Sequence, residues 1–427
     1  MIRKAIALGF LAASLALVTA AAEDTAEPRL KLIFVERFRF EAWDNAVSLD
    51  DAAADRFAYT RNRTTLGLRW LAAKNVEVLG KVTNEFRAYL APKDRAFNVH
   101  EVFFDNLYIK WTLPGRVPFT VTAGRQDINL GEGFVIADST PLDGSRSYYF
   151  NALRLDAEVA PGHRIIAFVH AQETRDKYLP VIHGRDQALV EQPDRALAVY
   201  YTGALGRAKV DAYAVRKTTE EAGTWLAGRV DTFGVRAQVP FAEPLVLTAE
   251  GAGQMGRHGD AGRSAFGAIA HLDWAPAWRV PVLKTLVLGG IYLSGDDPDT
   301  ARMEGWDPVF SRWPKWSEGY INTFSRESRP AYWSNLSSVY GSLVLDLGAR
   351  ANATVTFHRL GAGRTLAGGF PGGTGRHRGE LVVGRLNFTI SRLLSGHVQW
   401  DHFEPGNFYA PEADAFNWIR FELMFRY

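Results

Sequence analysis

The chain ends on Phe416-Asn-Trp-Ile-Arg-Phe-Glu-Leu-Met-Phe-Arg-Tyr427. From Asn417 onward the residues alternate. Ile419, Phe421, Leu423, Phe425 and Tyr427 fall on one face of an extended chain; Trp418, Arg420, Glu422, Met424 and Arg426 fall on the other. Side chains in a strand change face at every residue, so the segment predicts one strand with an oily face and a polar face. Whether protein or lipid covers the oily face decides the fold.

The same pattern recurs upstream. Eighteen amphipathic segments can be drawn, from residues 29–43 to 416–427, among them 59–71, 117–130, 150–159, 163–173, 229–239, 244–255, 263–274 and 377–390. Most reach the roughly 9–11 residues that a tilted transmembrane strand needs. In 59–71, Leu66, Leu68 and Trp70 oppose Arg61, Arg63, Thr65 and Arg69; in 229–239, Phe233, Val235 and Ala237 oppose Thr232, Arg236 and Gln238. The stretches near Glu101 to Asp105 and over 163–173 do not alternate cleanly, and their facing stays open. Connections alternate in length. Short ones such as 72–75, 114–116, 160–162, 205–206 and 348–349 separate long ones at 44–58, 131–149, 174–194, 295–336 and 361–376. Outer-membrane barrels sort their turns this way, short at the periplasm and long outside. A charge facing lipid at mid-depth is destabilising by about 2–4 kcal/mol, so the charged face belongs to the lumen. The expectation is a closed antiparallel transmembrane β-barrel of eighteen strands. Its last strand, aromatic at its end like those read by the barrel-assembly machinery, would close against residues 29–43.

The amino terminus agrees. Arg3 and Lys4 precede an apolar stretch from Ala5 to Thr19, then Ala20-Ala21-Ala22. This reads as a secretory signal peptide over 1–22, leaving 23–427 as one barrel domain in the cell outer membrane. Removing those two basic residues takes the formal charge from +2 to 0. A chain without basic excess is a poor nucleic-acid binder. There is no cysteine, so no disulfide can staple the exported chain. After the signal, no apolar run reaches the ~18 residues of a spanning helix.

Arginine carries the functional signal. Eleven lysines leave thirty-eight arginines among forty-nine basic residues. Arg37, Arg39, Arg61, Arg63, Arg69, Arg87, Arg125, Arg154, Arg236, Arg385 and Arg420 fall on expected lumen faces. A guanidinium is always charged and holds carboxylates in a fork, so such a set would guide anions. The alternative is scaffolding, with Glu85, Asp127, Asp156, Glu158 and Glu422, together with Glu41, Glu77 and Glu250, as inward partners. The longest loop holds Trp306, Trp313, Trp316 and Trp333 with Asp296, Asp297, Asp299 and Glu304. The aromatics suit sugar stacking, a plug, an interfacial girdle or a plain loop core. The acidic residues match no calcium-loop spacing. Ser395, His397 and Asp401 share a strand face, but nothing marks an activated nucleophile, and His358, His377 and His402 lack metal-ligand spacing. The reading therefore contains no catalytic group, cofactor or metal.

Ala123-Gly-Arg-Gln-Asp-Ile-Asn-Leu-Gly-Glu-Gly133, followed by Asp143-Gly-Ser-Arg-Ser-Tyr-Tyr-Phe-Asn-Ala-Leu-Arg-Leu155, resembles the alginate-export family of outer-membrane barrels. The Gly124-Arg125-Gln126 strand end and the run from Arg146 to Arg154 match. Asn151 stands where the family usually has aspartate, and the usual tryptophan of the intervening loop is missing. The resemblance implies a monomeric, eighteen-stranded barrel in lipid and lipopolysaccharide, with an arginine-lined, loop-gated lumen that passes an acidic polysaccharide. A general or organic-acid porin is the same-fold alternative; a barrel hydrolase or a structural or adhesin barrel is the alternative of another class.

Overall fold

The computed structural model describes residues 29–427 except 94, 96–97, 138–147, 185–187, 277–279, 313–315, 328–331 and 366–371. The expected signal peptide at 1–22 and Trp313 lie outside the described residues. The strands are β1 Leu30–Asp44, β2 Phe57–Ala73, β3 Val76–Ala91, β4 Asn98–Leu113, β5 Phe119–Gln126, β6 Phe150–Ala160 and β7 His163–Gln172. There follow β8 Val181–Ile182, β9 Asp194–Leu205, β10 Ala208–Thr219, β11 Gly228–Ala242, β12 Leu245–His258, β13 Ala261–Trp274 and β14 Leu283–Leu293. The last are β15 Arg302–Met303, β16 Leu336–Asp346, β17 Ala351–Gly361, β18 His377–Thr389, β19 Leu394–Pro405 and β20 Phe416–Arg426.

Leaving aside the two-residue strands β8 and β15, eighteen long strands pair antiparallel with their chain neighbours. The ring closes where β20 meets β1, from Val35 opposite Arg426 to Asp44 opposite Asn417. The seam extends to the last residue: the Tyr427 amide donates to Phe34 O at 2.8 Å, and the Phe34 amide to Tyr427 O at 3.2 Å. Closure matters because hydrocarbon offers no partner to an unpaired amide. Leu66, Leu68, Trp70, Leu153, Leu155, Phe233, Val235, Leu386 and Ile419 are exposed on the outer wall, as the alternation requires.

Three local departures have physical causes. The pairing of β3 with β4 shifts between Lys81 and Val82, so that Asp105 and Asn106 both turn inward and are buried. This bulge breaks the alternation near Glu101. The segment expected over 117–130 leaves the wall at Gln126. β8 then pairs with Val102 and Phe103 of β4, filling the place β5 vacates. Strands β12 and β13 run on to a two-residue turn at Gly259 and Asp260, shorter than the 256–262 connection the alternation suggests.

The core sits inside the barrel, toward the long-loop end. Trp306, Phe310 and Tyr320 from residues 294–335 are fully buried against Phe134 and Ile136 of the 127–149 segment, Leu49 of the first loop and Phe408 and Tyr409 of the last. Ile166 and Phe168 line this core from β7. That strand is apolar on both faces because lipid-type surface covers one side and folded loop the other.

Deleting Phe425 to Tyr427 removes the seam's last backbone bonds. The truncated chain should lose the heat-modifiable gel mobility of a closed barrel; retained mobility would contradict the seam.

Candidate functional site in the barrel lumen

Adjacent strands β20, β1, β2, β3 and β4 turn a cluster of charges inward. Arg37 donates to Glu85 at 3.1 Å. Arg39 donates to Glu422. Arg61 lies 3.4 Å from Glu41 and 3.3 Å from Glu85. Arg63 reaches Glu85 at 3.4 Å and Asp105 at 3.3 Å. Arg420 donates to Glu41 at 3.2 Å and to Glu318 of the long loop. Five guanidiniums thus meet five carboxylates. These arginines are only 1–5% exposed. A buried charge is tolerated only when paired and hydrogen-bonded, and each of these is. In this state the set braces the wall and meets no solute.

The other expected residues divide. Arg69 pairs with Glu77 at 2.8 Å, both half-buried, and the half-buried Arg154 pairs with the buried Asp156 at 2.7 Å. Arg87 lies over the Tyr59 ring at 4.9 Å. Arg385 is exposed and bonds Asn387 at 2.9 Å and Gln399 at 3.3 Å. Asp127 accepts from Asn106 at 3.1 Å. Glu158 is exposed near the short-turn end. Arg125 is not a pore residue here. It is buried, forks onto Asp176 at 2.6 and 2.9 Å, donates to Phe104 O at 2.8 Å and Asn151 at 3.0 Å, and lies 3.8 Å over the Tyr149 ring. Gly124 makes this possible. Its φ is +126°, and a Cβ there would sit 2.3 Å from Leu107 O.

The loop after β5 crosses the lumen to β11 and β13. At its tip Glu132 lies between Gly131 (φ 59°) and Gly133 (φ 75°). A Cβ on Gly131 would meet the Tyr200 hydroxyl at 2.8 Å, so only glycine lets the tip reach the far wall. There Glu132 accepts from Arg236 at 2.9 Å and from His271 Nε2 at 3.1 Å, while His271 Nδ1 lies 2.9 Å from Asp273. Both partners only accept, so the ring donates from both nitrogens. The His271 bond first, with Arg236 adding and burial opposing, holds the Glu132 carboxyl down to about 2. Its contribution to the fixed loop is therefore present at neutral pH and fades as pH falls from the ordinary carboxylate range toward 2.

The longest loop carries the helix Gly319–Glu327. Asp401 accepts at its start from Ser317 Oγ at 2.7 Å and the amides of Glu318 and Gly319 at 3.0 and 3.1 Å. That caps the helix. At the other end Arg378 donates to Glu327 at 2.6 Å and sits 4.1 Å over Phe408. Trp306 stacks on Phe134 at 5.1 Å, Trp316 touches His358 at 4.9 Å, and Trp333 donates to Ser311 O at 2.6 Å. Trp306, Trp316 and Trp333 pack as loop core rather than as an interfacial girdle. Asp296 accepts from the Glu304 amide at 2.7 Å and Asp297 pairs with Arg364 at 2.8 Å.

Nearer the short turns the inner wall opens. A recess of about 410 Å³ on β3 to β7 is lined by Lys81, Lys110, Arg154 and Arg164 against Asp127 and Asp156, with Tyr108 and Gln126 among the neutral groups. Four cations face two anions. The sequence reading missed Lys81 and Lys110 because it followed arginine alone. It also missed Glu132, although the Gly-Glu-Gly spacing was a signal, and it missed Arg378, Glu318 and Glu327, which no strand pattern marks.

The sequence profile of the family described as alginate export matches residues 30–418. The chain belongs to the alginate-export family. No curated protein sequence matches it. Solved structures share its fold: Pseudomonas aeruginosa OpdK at 12% identity and TM-score 0.61, over 93% of this chain and 98% of that one. OccK7 (OpdD) from the same organism gives 13% identity and TM-score 0.59 over 94% and 99%. This alginate-export family member is an outer-membrane β-barrel channel.

Glu85 accepts from Arg37 and Arg63 and ion-pairs with Arg61, so Glu85→Gln should lower stability by about 3–5 kcal/mol. Urea unfolding in lipid vesicles checks this; an unchanged midpoint would show that the cluster does not brace the wall.

Proposed function

We propose that the channel passes anionic sugars, or an acidic polysaccharide such as alginate, by passive, charge-selective diffusion. The observation that carries this is the cationic recess at Lys81, Lys110, Arg154 and Arg164, in a chain of this family. Fixed positive charge in a low-dielectric tube concentrates anions and orients their carboxylates. The buried arginine cluster shapes the wall behind that path. The filled outer half of the lumen means that the inward loops must shift for a polymer to pass. Carboxylates entering from the periplasm meet the recess first.

The reading includes a signal peptide cleaved after residue 22, insertion by the barrel-assembly machinery, and a monomer held in lipid and lipopolysaccharide. It contains no catalytic step. Asp401 is engaged as a helix cap, and His397 lies 3.4 Å from Glu422. A small-acid porin is the competing reading, since OpdK has been crystallised with vanillate and the recess would also hold one small acid.

In planar bilayers the protein should prefer anions, and oligouronate should change its current at lower concentration than an aromatic monocarboxylate. Lys81→Gln with Lys110→Gln should move the reversal potential toward zero. Cation preference with no oligouronate response would overturn the reading; equal responses to both acids would favour the small-acid porin.

A further inference from the structure

Three inner-wall arginines each hold a carboxylate that belongs to an inward loop, not to the wall. Arg236 of β11 holds Glu132 of the crossing loop at 2.9 Å. Arg420 of β20 holds Glu318 at the start of the loop helix. Arg378 of β18 holds Glu327 at the end of that helix, at 2.6 Å. Counted from the short-turn end of its strand, Arg378 is the twelfth residue, and Arg420 and Arg236 are each the seventh.

We propose that Arg236, Arg420 and Arg378 are carboxylate-binding subsites for a hexuronate chain, occupied in the closed state by the protein's own Glu132, Glu318 and Glu327. The inference rests on the acidic-saccharide reading and adds how the lumen opens. A guanidinium fork binds a loop carboxylate and a uronate carboxylate with the same geometry, so one replaces the other while Arg236 keeps Asp211 at 3.1 Å and Arg420 keeps Glu41 at 3.2 Å. At these three points the loops are held by bonds that an anionic solute can exchange. A neutral sugar offers Arg236 no second carboxylate to stand beside Asp211. Exchange begins at Glu132. Its side chain is 29% exposed, against 11% for Glu318 and 3% for Glu327. It also lies by His271, near the periplasmic end of β13, on the side from which an exported chain arrives. Release of Glu132 frees the crossing loop, whose Phe134 stacks on Trp306, so the outer loop loses its packing partner next.

The experiment is bilayer current of the full-length protein titrated with oligogalacturonate and with its carboxyl-reduced, neutral counterpart. The wild type should open with the acid oligomer only. Glu132→Gln removes the internal competitor and should lower the half-effective oligogalacturonate concentration about tenfold. Arg236→Gln should raise it at least as much, and Glu318→Gln should act in the same direction as Glu132→Gln. Correct closure of each variant is read from heat-modifiable mobility, and Glu132→Asp keeps a carboxylate in place if the glutamine variant does not close. A half-effective concentration unchanged in Glu132→Gln and Glu318→Gln overturns the inference. Opening of the wild type by the neutral oligomer overturns it too. A wild type that responds to neither oligomer instead overturns the substrate reading on which it rests.

Discussion

Everything in this molecule depends on the seam between the first and last strands. A sheet of amphipathic strands in hydrocarbon is stable only if no backbone amide is left at an edge. Pairing of Val35 to Asp44 with Asn417 to Arg426 removes that edge, and the bonds between Phe34 and Tyr427 carry the closure to the end of the chain. Once closed, the barrel has one outside and one inside. The alternation of each strand then sends Leu, Phe and Trp outward and Arg, Glu and Asp inward.

Closure creates a second problem, which is charge. A wide wall with many inward guanidiniums repels itself and requires counter-charge. Neighbouring strands supply most of it, as in the Glu41 and Glu85 clusters. Loops supply more of it, through Glu132, Asp176, Glu318 and Glu327. The same bonds that neutralise the wall draw the loops into the lumen, where Trp306, Phe310 and Tyr320 find an apolar core. Electrostatics places the loops and burial keeps them there. Folded loop thus packs inside the outer half of the barrel, while the recess lined by four cations and two anions lies toward the short turns.

The fold was legible because period two leaves little freedom. Ile419 must face opposite Arg420, and the parity of short and long connections follows from an even strand number. The arginine set was legible as inward-facing, with scaffolding pairs to Glu41, Glu85 and Glu422 as one of two readings; partners such as Asp105 and Glu318 were not, since they depend on a bulge and on a loop helix. Arg125 misled for a related reason. Gly124 twists the strand end, and Asp176, fifty-one residues on, claims the guanidinium. Ile166 and Phe168 held the clue to the plug, since a strand apolar on both faces must be covered on both. The Lys81 and Lys110 recess was written in plain alternation and was passed over for want of arginine.

In the proposed mechanism the loop helix closes the outer lumen and must leave the wall for a solute to pass. A Cβ on Gly319 would lie 3.1 Å from the Trp418 Cβ, just under the ~3.5–4.5 Å a disulfide spans, so the cross-link forms once the Phe416 ring, 2.6 Å away, turns aside. The chain has no cysteine of its own, so the double variant Gly319→Cys, Trp418→Cys forms one defined cross-link. Oligouronate-dependent current through the oxidised protein should vanish and return on reduction, with each single variant indifferent to oxidant. Equal current before and after reduction, with the cross-link confirmed by mass spectrometry, would contradict the account.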